Sequence, residues 1–400
     1  MVEIPRLLID LAHRNLVHPL LTRGEADREI AHERALQLME QTQQNPLAMA
    51  YFSRFFTLRD PILVTPIRTR EGFTQYAPNP FGIAAGFDKD ARVTTFLGNG
   101  LGFGIVTVGS ITAVPYEGNP RPRIFDLPNN DGLINRMGFP GEGTKIGKSG
   151  LKKSHIRGQN YILKINVAAS KPSFERGTYI KDYGQAFEDL LVFANTMEIN
   201  ISSPNTEGTR ELQEPEAFEE LASHIAERRK QSPLNFIPLI YKFSPDLSPQ
   251  HLERVLRIAI DRGADGVTLT NTSTDPTLRH SLMPDRYKDE SGGMSGAFLG
   301  HRALETTHRA YKYVGEEIFI IRAGGVRGTA SDLWEALTYG GATAAEVYTS
   351  FVRLNTSTPN FTVYALKGLA KAMRAEGMTS MEDFKSLRGK RVPFPFLLLS

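Results

Sequence analysis

From Phe81 onward, short β-branched apolar runs alternate with stretches of helical period. No other feature constrains the fold as much. Eight such runs occur: Phe81–Ala85, Ile105–Ser110, Ile162–Val167, Met197–Ser202, Pro238–Ser244, Gly266–Asn271, Ile318–Ala323 and Ala344–Thr349. Helical patterns fill most gaps, at Tyr183–Thr196, Pro215–Gln231, Ser248–Arg262, Gly300–Val314, Thr329–Tyr339 and Thr362–Glu376. Buried strands alternating with helices imply a parallel sheet, and eight of them predict a closed α/β architecture, the (β/α)8 TIM barrel. The competing doubly wound sheet would usually carry a glycine-rich fingerprint after its first strand. Gly98, Gly100, Gly102 and Gly104 form no complete G-x-G-x-x-G and precede a strand. The string GEGTKIGKS at 141–149 misses P-loop spacing by one residue, has no strand leading into it, and reads as a flexible polar loop.

Composition excludes several chemistries. The 400 residues include no cysteine, which removes disulfide scaffolds, cysteine zinc sites, iron–sulfur clusters and any thiol base. Lys plus Arg (47) nearly balances Asp plus Glu (44), which argues against a nucleic-acid binder. There is no apolar run of about 18 residues and no secretory signal. H-E-x-x-H and G-x-S-x-G are absent, and no histidine falls at the strand ends.

Residues 1–60 read as a separate amphipathic helical segment preceding a catalytic barrel at 61–400. Ile4, Leu7, Leu8, Leu11 and Leu16 recur at helical spacing, then Ile30, Ala31, Leu38 and Met39, then Leu47, Phe52, Phe55 and Phe56. The plain reading is a helical cap on the barrel. The sharper one is an apolar surface that enters a membrane interface. Seven Arg, no Lys and eight acidic residues do not suit a transit peptide, and they make lipid contact a hydrophobic matter.

In a (β/α)8 barrel the site lies at the C-terminal strand ends. Those ends carry Lys89, Gly109-Ser110, Asn166, Asn200 with Ser202 to Thr206, Lys242, Thr270-Asn271-Thr272, Ala323-Gly324-Gly325 and Tyr348-Thr349. Each alone could be a helix cap or loop residue. Together they predict a polar ligand, because a buried amide without a partner costs free energy. Backbone N–H groups at Gly324-Gly325, Ser295-Gly296 and Tyr348-Thr349 suit a phosphate, so a phosphorylated cofactor is expected. Lys242 is either half of a structural ion pair or an anion-stabilising charge beside a reducible ring.

Taken in order, NPFGIAAGFDKD (79–90), GFGIVTVGSIT (102–112), EGNPRPRIF (117–125), GLINRMGF (132–139), NISSPNT (200–206), LTNTS (269–273), GGMSG (292–296) and AGGV (323–326) resemble dihydroorotate dehydrogenase of class 2, the membrane-associated, quinone-reducing class. The resemblance implies oxidation of (S)-dihydroorotate to orotate in pyrimidine biosynthesis, with FMN as cofactor and a quinone as acceptor. It implies Ser203 as the base. It implies FMN contacts from Ala85, Gly86, Lys89, Ser110, Asn166, Asn200, Lys242, Thr270, Gly296, Gly325, Tyr348 and Thr349. It further implies substrate contacts from Lys89, Asn135, Arg136, Met137, Gly138, Phe139, Asn200, Asn205, Asn271 and Thr272. Thr206 and Phe139 would flank Ser203 under a lid formed by the following loop. The helical extension would admit the quinone and sit peripherally on the cytoplasmic face of a cell membrane, or on the mitochondrial inner membrane in a eukaryote. No nucleic acid is implied, and the resemblance sets no oligomeric state.

The chain departs from the resembled pattern in places. Asp126 stands where Arg is usual near the quinone tunnel, and His32 is a candidate for the tunnel histidine. KINVAASK around Asn166 replaces G-x-N-[LI]-[GS]-x-N-K, and Thr209 replaces a lid leucine. The alternatives are an FMN barrel that uses fumarate or NAD, and a phosphate-binding aldolase or isomerase barrel with Lys242 as the Schiff-base amine.

Overall fold

The fold comes from a computed structural model that describes residues 28–127, 131–156, 159–353 and 359–395. The first expected helix, around Ile4 to Leu16, lies outside the described residues. The chain then runs through α1 (Arg28–Gln44), α2 (Pro46–Phe55), a hairpin of β1 (Thr65–Arg68) and β2 (Thr74–Ala77), β3 (Phe81–Asp88) and β4 (Ile105–Ile111). There follow β5 (Ile124–Leu127), β6 (Gly132–Asn135), α3 (Gly143–Ile156), β7 (Ile162–Val167), α4 (Lys171–Glu175), α5 (Tyr179–Leu191), β8 (Thr196–Asn200), α6 (Pro215–Gln231) and β9 (Leu239–Phe243). The remainder is α7 (Pro249–Asp261), β10 (Gly266–Leu269), α8 (Pro276–Leu282), β11 (Gly293–Gly296), α9 (Gly300–Val314), β12 (Phe319–Ala323), α10 (Ala330–Leu337), β13 (Ala344–Val347), α11 (Thr349–Val352) and α12 (Phe361–Ala375).

Eight parallel strands close into a barrel in the order β3-β4-β7-β8-β9-β10-β12-β13. All eight expected runs supply one strand each. The antiparallel sheet β5-β6-β11 is an excursion that sequence alternation did not reveal. Its strands have four residues each, too few for a period to emerge. The helix expected at Tyr183–Thr196 instead spans Tyr179–Leu191, because Thr196 already opens β8. The expected polar loop at 141–149 is corrected to the start of α3. Its glycines serve close packing: a Cβ on Gly147 would lie 3.1 Å from Ile111 Cδ1, and one on Gly150 only 2.5 Å from the Ala91 carbonyl.

Inward side chains stack in layers up the barrel. At the bottom, Ile105, Ile162, Ile240, Ile321 and Ala344 form an apolar cluster, which the hairpin residues Ile67 and Ala77 cover. The next layer is charged. Lys164 is 0% exposed and contacts Glu198 at 2.7 Å and Glu346 at 2.8 Å. Thr107 donates to Glu346 Oε1 (2.8 Å), and Thr268 donates to Glu198. The open mouth lies above this layer.

Helix α1 docks on the barrel through Ala31, Ala35 and Leu36, while Leu38 faces outward. Glu29 accepts from Arg123 Nε (2.8 Å), and Arg28 pairs with Asp126. The acid at 126 therefore has a cationic partner on the helix. Helix α2 starts at Pro46, with the Asn45 side chain accepting from the N–H groups of Leu47 and Ala48. It has no fully buried residue; Leu47 is 82% exposed, and Phe52 leans on Phe96 at 4.9 Å between ring centroids. No helix among the described residues is long and apolar enough to cross a membrane.

His32 Nε2 lies 2.7 Å from the Phe87 carbonyl, with its ring edge-on to the Phe87 ring. Burial pushes this imidazole down to about 4, and the nearby Lys89 charge adds to the effect. The folded state therefore holds His32 neutral where an unfolded chain would protonate it. Stability contributed at neutral pH is then lost as pH falls from about 6.5, the ordinary histidine value, toward 4. Hydrogen-exchange protection factors of residues 28–55, which are referred to the intrinsic rate at each pH, should fall across that window, and His32→Gln should remove the effect. Equal pH dependence in both proteins would remove His32 as its source.

Candidate active site

The C-terminal strand ends surround an open cavity. Ala85, Gly86, Lys89, Ser110, Asn200, Lys242, Thr270, Gly296, Gly325, Tyr348 and Thr349 all line it, as do Asn135, Met137, Gly138, Phe139, Ser203, Asn205, Asn271 and Thr272. Two expected residues are placed elsewhere. Asn166 sits one layer down, fully buried, donating to Glu198 Oε1 at 2.6 Å. Its strand position is inward, as expected, but the Asn200 layer lies above it. The Arg136 side chain turns away from the cavity, pairing with Glu290, donating to the Pro122 carbonyl (2.8 Å) and lying over the Phe125 ring at 5.0 Å.

Four asparagines converge on the cavity. Asn205 Nδ2 donates to Asn135 Oδ1 (2.9 Å), and Asn200 Nδ2 donates to Ser110 Oγ (3.0 Å). Asn271 Nδ2 donates to Ser202 Oγ (2.9 Å), which itself donates to Asn200 Oδ1 (3.0 Å). Mutual hydrogen bonds thus fix the orientation of each amide. Unused capacity remains: Asn205 Oδ1, Thr206 Oγ1 and Thr272 Oγ1 are buried with no hydrogen-bond partner among the described residues. Such atoms are costly unless a ligand meets them.

Ser203 is 6% exposed and sits where β8 gives way to the loop at Pro204. Its Oγ accepts from the Asn205 N–H at 3.3 Å. Arg210 holds the following loop down, donating to the carbonyls of Ser202 (3.3 Å) and Thr272 (2.8 Å) and pairing with Asp246 at 2.9 Å.

Two lysines reach the cavity without a hydrogen bond or ion pair among the described residues, in contrast to Lys164 below them. Burial draws the Lys242 ammonium below the ordinary lysine range, with Glu198 acting against it. Burial does the same to Lys89, against Glu29. An unpaired buried ammonium calls for an anion or a strong acceptor. At the far side, backbone segments pack so closely that only glycine fits. A Cβ on Gly325, at φ +66°, would lie 2.2 Å from the Gly300 backbone. Thr349 donates to Ser295 Oγ (2.9 Å) beside it. Ser295, Gly296, Gly325 and Thr349 thus line the same cavity.

Sequence reading missed the charged layer beneath, in which Lys164, Glu198 and Glu346 meet. A signal was present. On β7, the inward positions Ile162, Lys164 and Asn166 alternate with the apolar Leu163 and Ile165. The lysine's destination inside the barrel follows only from closure.

The sequence matches the family model described as dihydroorotate dehydrogenase over residues 72–369. A relative from Thermus thermophilus, named dihydroorotate dehydrogenase (quinone), is 36% identical over 361 residues, covering 90% of this chain and 97% of the relative. A relative of the same name from a Roseiflexus species is 33% identical over 369 residues, covering 92% and 96%. Among solved structures, the crystal structure of DHODH from Eimeria tenella in complex with ferulenol superposes with a TM-score of 0.78 at 28% identity, covering 94% of this chain and 99% of that one. The chain belongs to the dihydroorotate dehydrogenase family, in its quinone-linked class.

Proposed function

We propose that the protein oxidises dihydroorotate to orotate at this cavity, with FMN as the flavin and a quinone as the final acceptor. The observation that carries the reading is the convergence of four interlocked asparagines, two unpaired lysines and one hydroxyl on a single cavity. The residues fit a flavin mononucleotide. The glycine cradle at Gly296 and Gly325 with Thr349 suits its phosphate, and Lys242 suits the electron-rich edge of its ring. When bound, FMN supplies the hydride acceptor and the electron store.

Oxidation of the C5–C6 bond requires a proton to leave C5 and a hydride to leave C6. Ser203 Oγ takes the C5 proton. A free serine is a poor base, so its proton must pass on as it forms, and Thr206 Oγ1, buried without a partner among the described residues, is placed in the same loop to relay it. Asn135, Asn205 and Asn271 hold the ring amides and carboxylate. Their fixed dipoles, with Lys89, stabilise the developing charge without reorganising. Lys242 offsets the negative charge left on the cofactor side.

The test is spectroscopic. Purified protein should be yellow, release FMN on denaturation, bleach anaerobically with dihydroorotate and recover its colour with a quinone. Recovery with fumarate or NAD instead would assign a soluble acceptor. Lack of any flavin band would end the reading.

The segment 1–60 is the quinone's entry in this reading. Its outward apolar residues Leu38, Leu47 and Tyr51 offer a surface to a lipid interface, which gives a peripheral membrane location. Deleting 1–60 should reduce quinone turnover more than it reduces single-turnover bleaching by dihydroorotate. Equal loss in both would leave the segment a structural cap.

A further inference from the structure

The charged layer below the cavity does more than fill the barrel. Lys164 bridges two carboxylates, Glu198 and Glu346, and Lys242 stands above them unpaired among the described residues. Two ammonium and two carboxylate groups sum to zero when all are charged. The Lys242 positive charge is committed to the cavity. Once an anion engages it, Lys164 alone faces two buried carboxylates, and the layer carries a net negative charge beneath another negative charge. In a medium this dry, taking up a proton is the natural relief.

The hydrogen bonds distinguish the two carboxylates. Both Glu198 oxygens have donors: Asn166 Nδ2 on Oε1 (2.6 Å), and Lys164 (2.7 Å) and Thr268 on Oε2. Glu346 differs. Its Oε1 takes Lys164 (2.8 Å) and Thr107 (2.8 Å), while its Oε2 is buried with no partner among the described residues. Neighbouring β3 presents only Gly82, whose absent side chain leaves Glu346 Cγ its room: a Cβ there would lie 3.0 Å away. Glu346 also lines the cavity.

We infer that Glu346 is a positioning residue that binds one proton whenever the cofactor in the cavity is reduced, and releases it when the electrons leave. Burial and Glu198 raise this carboxyl above the ordinary range against the pull of Lys164 and Lys242, whereas the two lysines hold Glu198 below it despite burial. Atoms and electrons balance. The substrate gives up a hydride to the cofactor and a proton to Ser203, and Glu346 takes one proton from solvent. The quinone then receives two electrons and two protons, matching the hydride's proton and the one that Glu346 releases.

This inference rests on the flavin reading above. Its test is potentiometric titration of the holoenzyme across the neutral pH range, wild type against Glu346→Gln. A two-electron couple shifts by about 30 mV per pH unit for each proton taken up. The wild type should show about twice the slope of Glu346→Gln. The redox difference infrared spectrum of wild-type holoenzyme labelled with ¹³C-glutamate provides a readout that needs no variant. Reduction should produce a carboxylic-acid carbonyl band that carries the isotope shift. Equal slopes, or no such band, would overturn the assignment while the protein stays yellow. A colourless protein would instead overturn the flavin reading itself.

Discussion

Ser203→Ala should slow bleaching of the bound flavin by dihydroorotate by about 10²–10⁴-fold, the usual range for losing a positioned base. The flavin should stay bound. Ser203 Oγ has only one hydrogen bond among the described residues, from the Asn205 N–H, so its loss removes little structure. The four asparagines, Lys89 and Lys242 remain, and they should preserve substrate affinity. Anaerobic stopped-flow with saturating dihydroorotate measures the rate, and orotate titration of the flavin spectrum measures the affinity. Bleaching at the wild-type rate would remove Ser203 as the base. Loss of orotate affinity equal to the loss in rate would make it a binding group instead.

Lys164→Met should cost about 3–5 kcal/mol of folding stability, the usual penalty for removing one partner of a buried charge cluster. Both carboxylates that it bridges are 0% exposed, so bulk solvent does not reach them. The pH dependence identifies the cause. Without the ammonium, Glu346, already above the unfolded value of about 4.3, rises further, and Glu198 loses the main charge that holds it down and rises too. Protonated carboxyls are tolerated there, so stability survives at low pH and is lost as pH rises through the raised values. Urea unfolding at several pH values should show the variant closest to wild type in acid. Adding Glu346→Gln should recover part of the loss at neutral pH, because only one buried carboxylate then remains. A cost under about 1 kcal/mol at every pH would mean that the layer is not a charged cluster.

Local chemistry carried the barrel in the sequence. Each buried strand had to be a short β-branched run, and each helix an amphipathic stretch, whatever its neighbours. The residues that face the cavity were legible for the same reason. Asn200, Ser203, Lys242 and Gly325 lie at or just beyond strand ends, and a parallel barrel delivers all such positions to one rim. Residues whose role comes from partners distant in the chain were not legible there. Arg136 lies in the same string as Asn135, yet Glu290 and the Phe125 ring draw its side chain out of the cavity. Asn166 stands one layer too low because the register pairs it with Glu198, whereas Asn200 pairs with Lys242 at the mouth. Helix α3 looked like a loop because its glycines mark where Ile111 and the Ala91 carbonyl press against it, and a sequence does not record such contacts. The sequence by itself determined the order of strands and the inventory of groups at their ends. Only the closed barrel decided that Lys164, Glu198 and Glu346, far apart along the chain, share one dry layer, because charge pairing depends on distance in space and the chain order does not encode it.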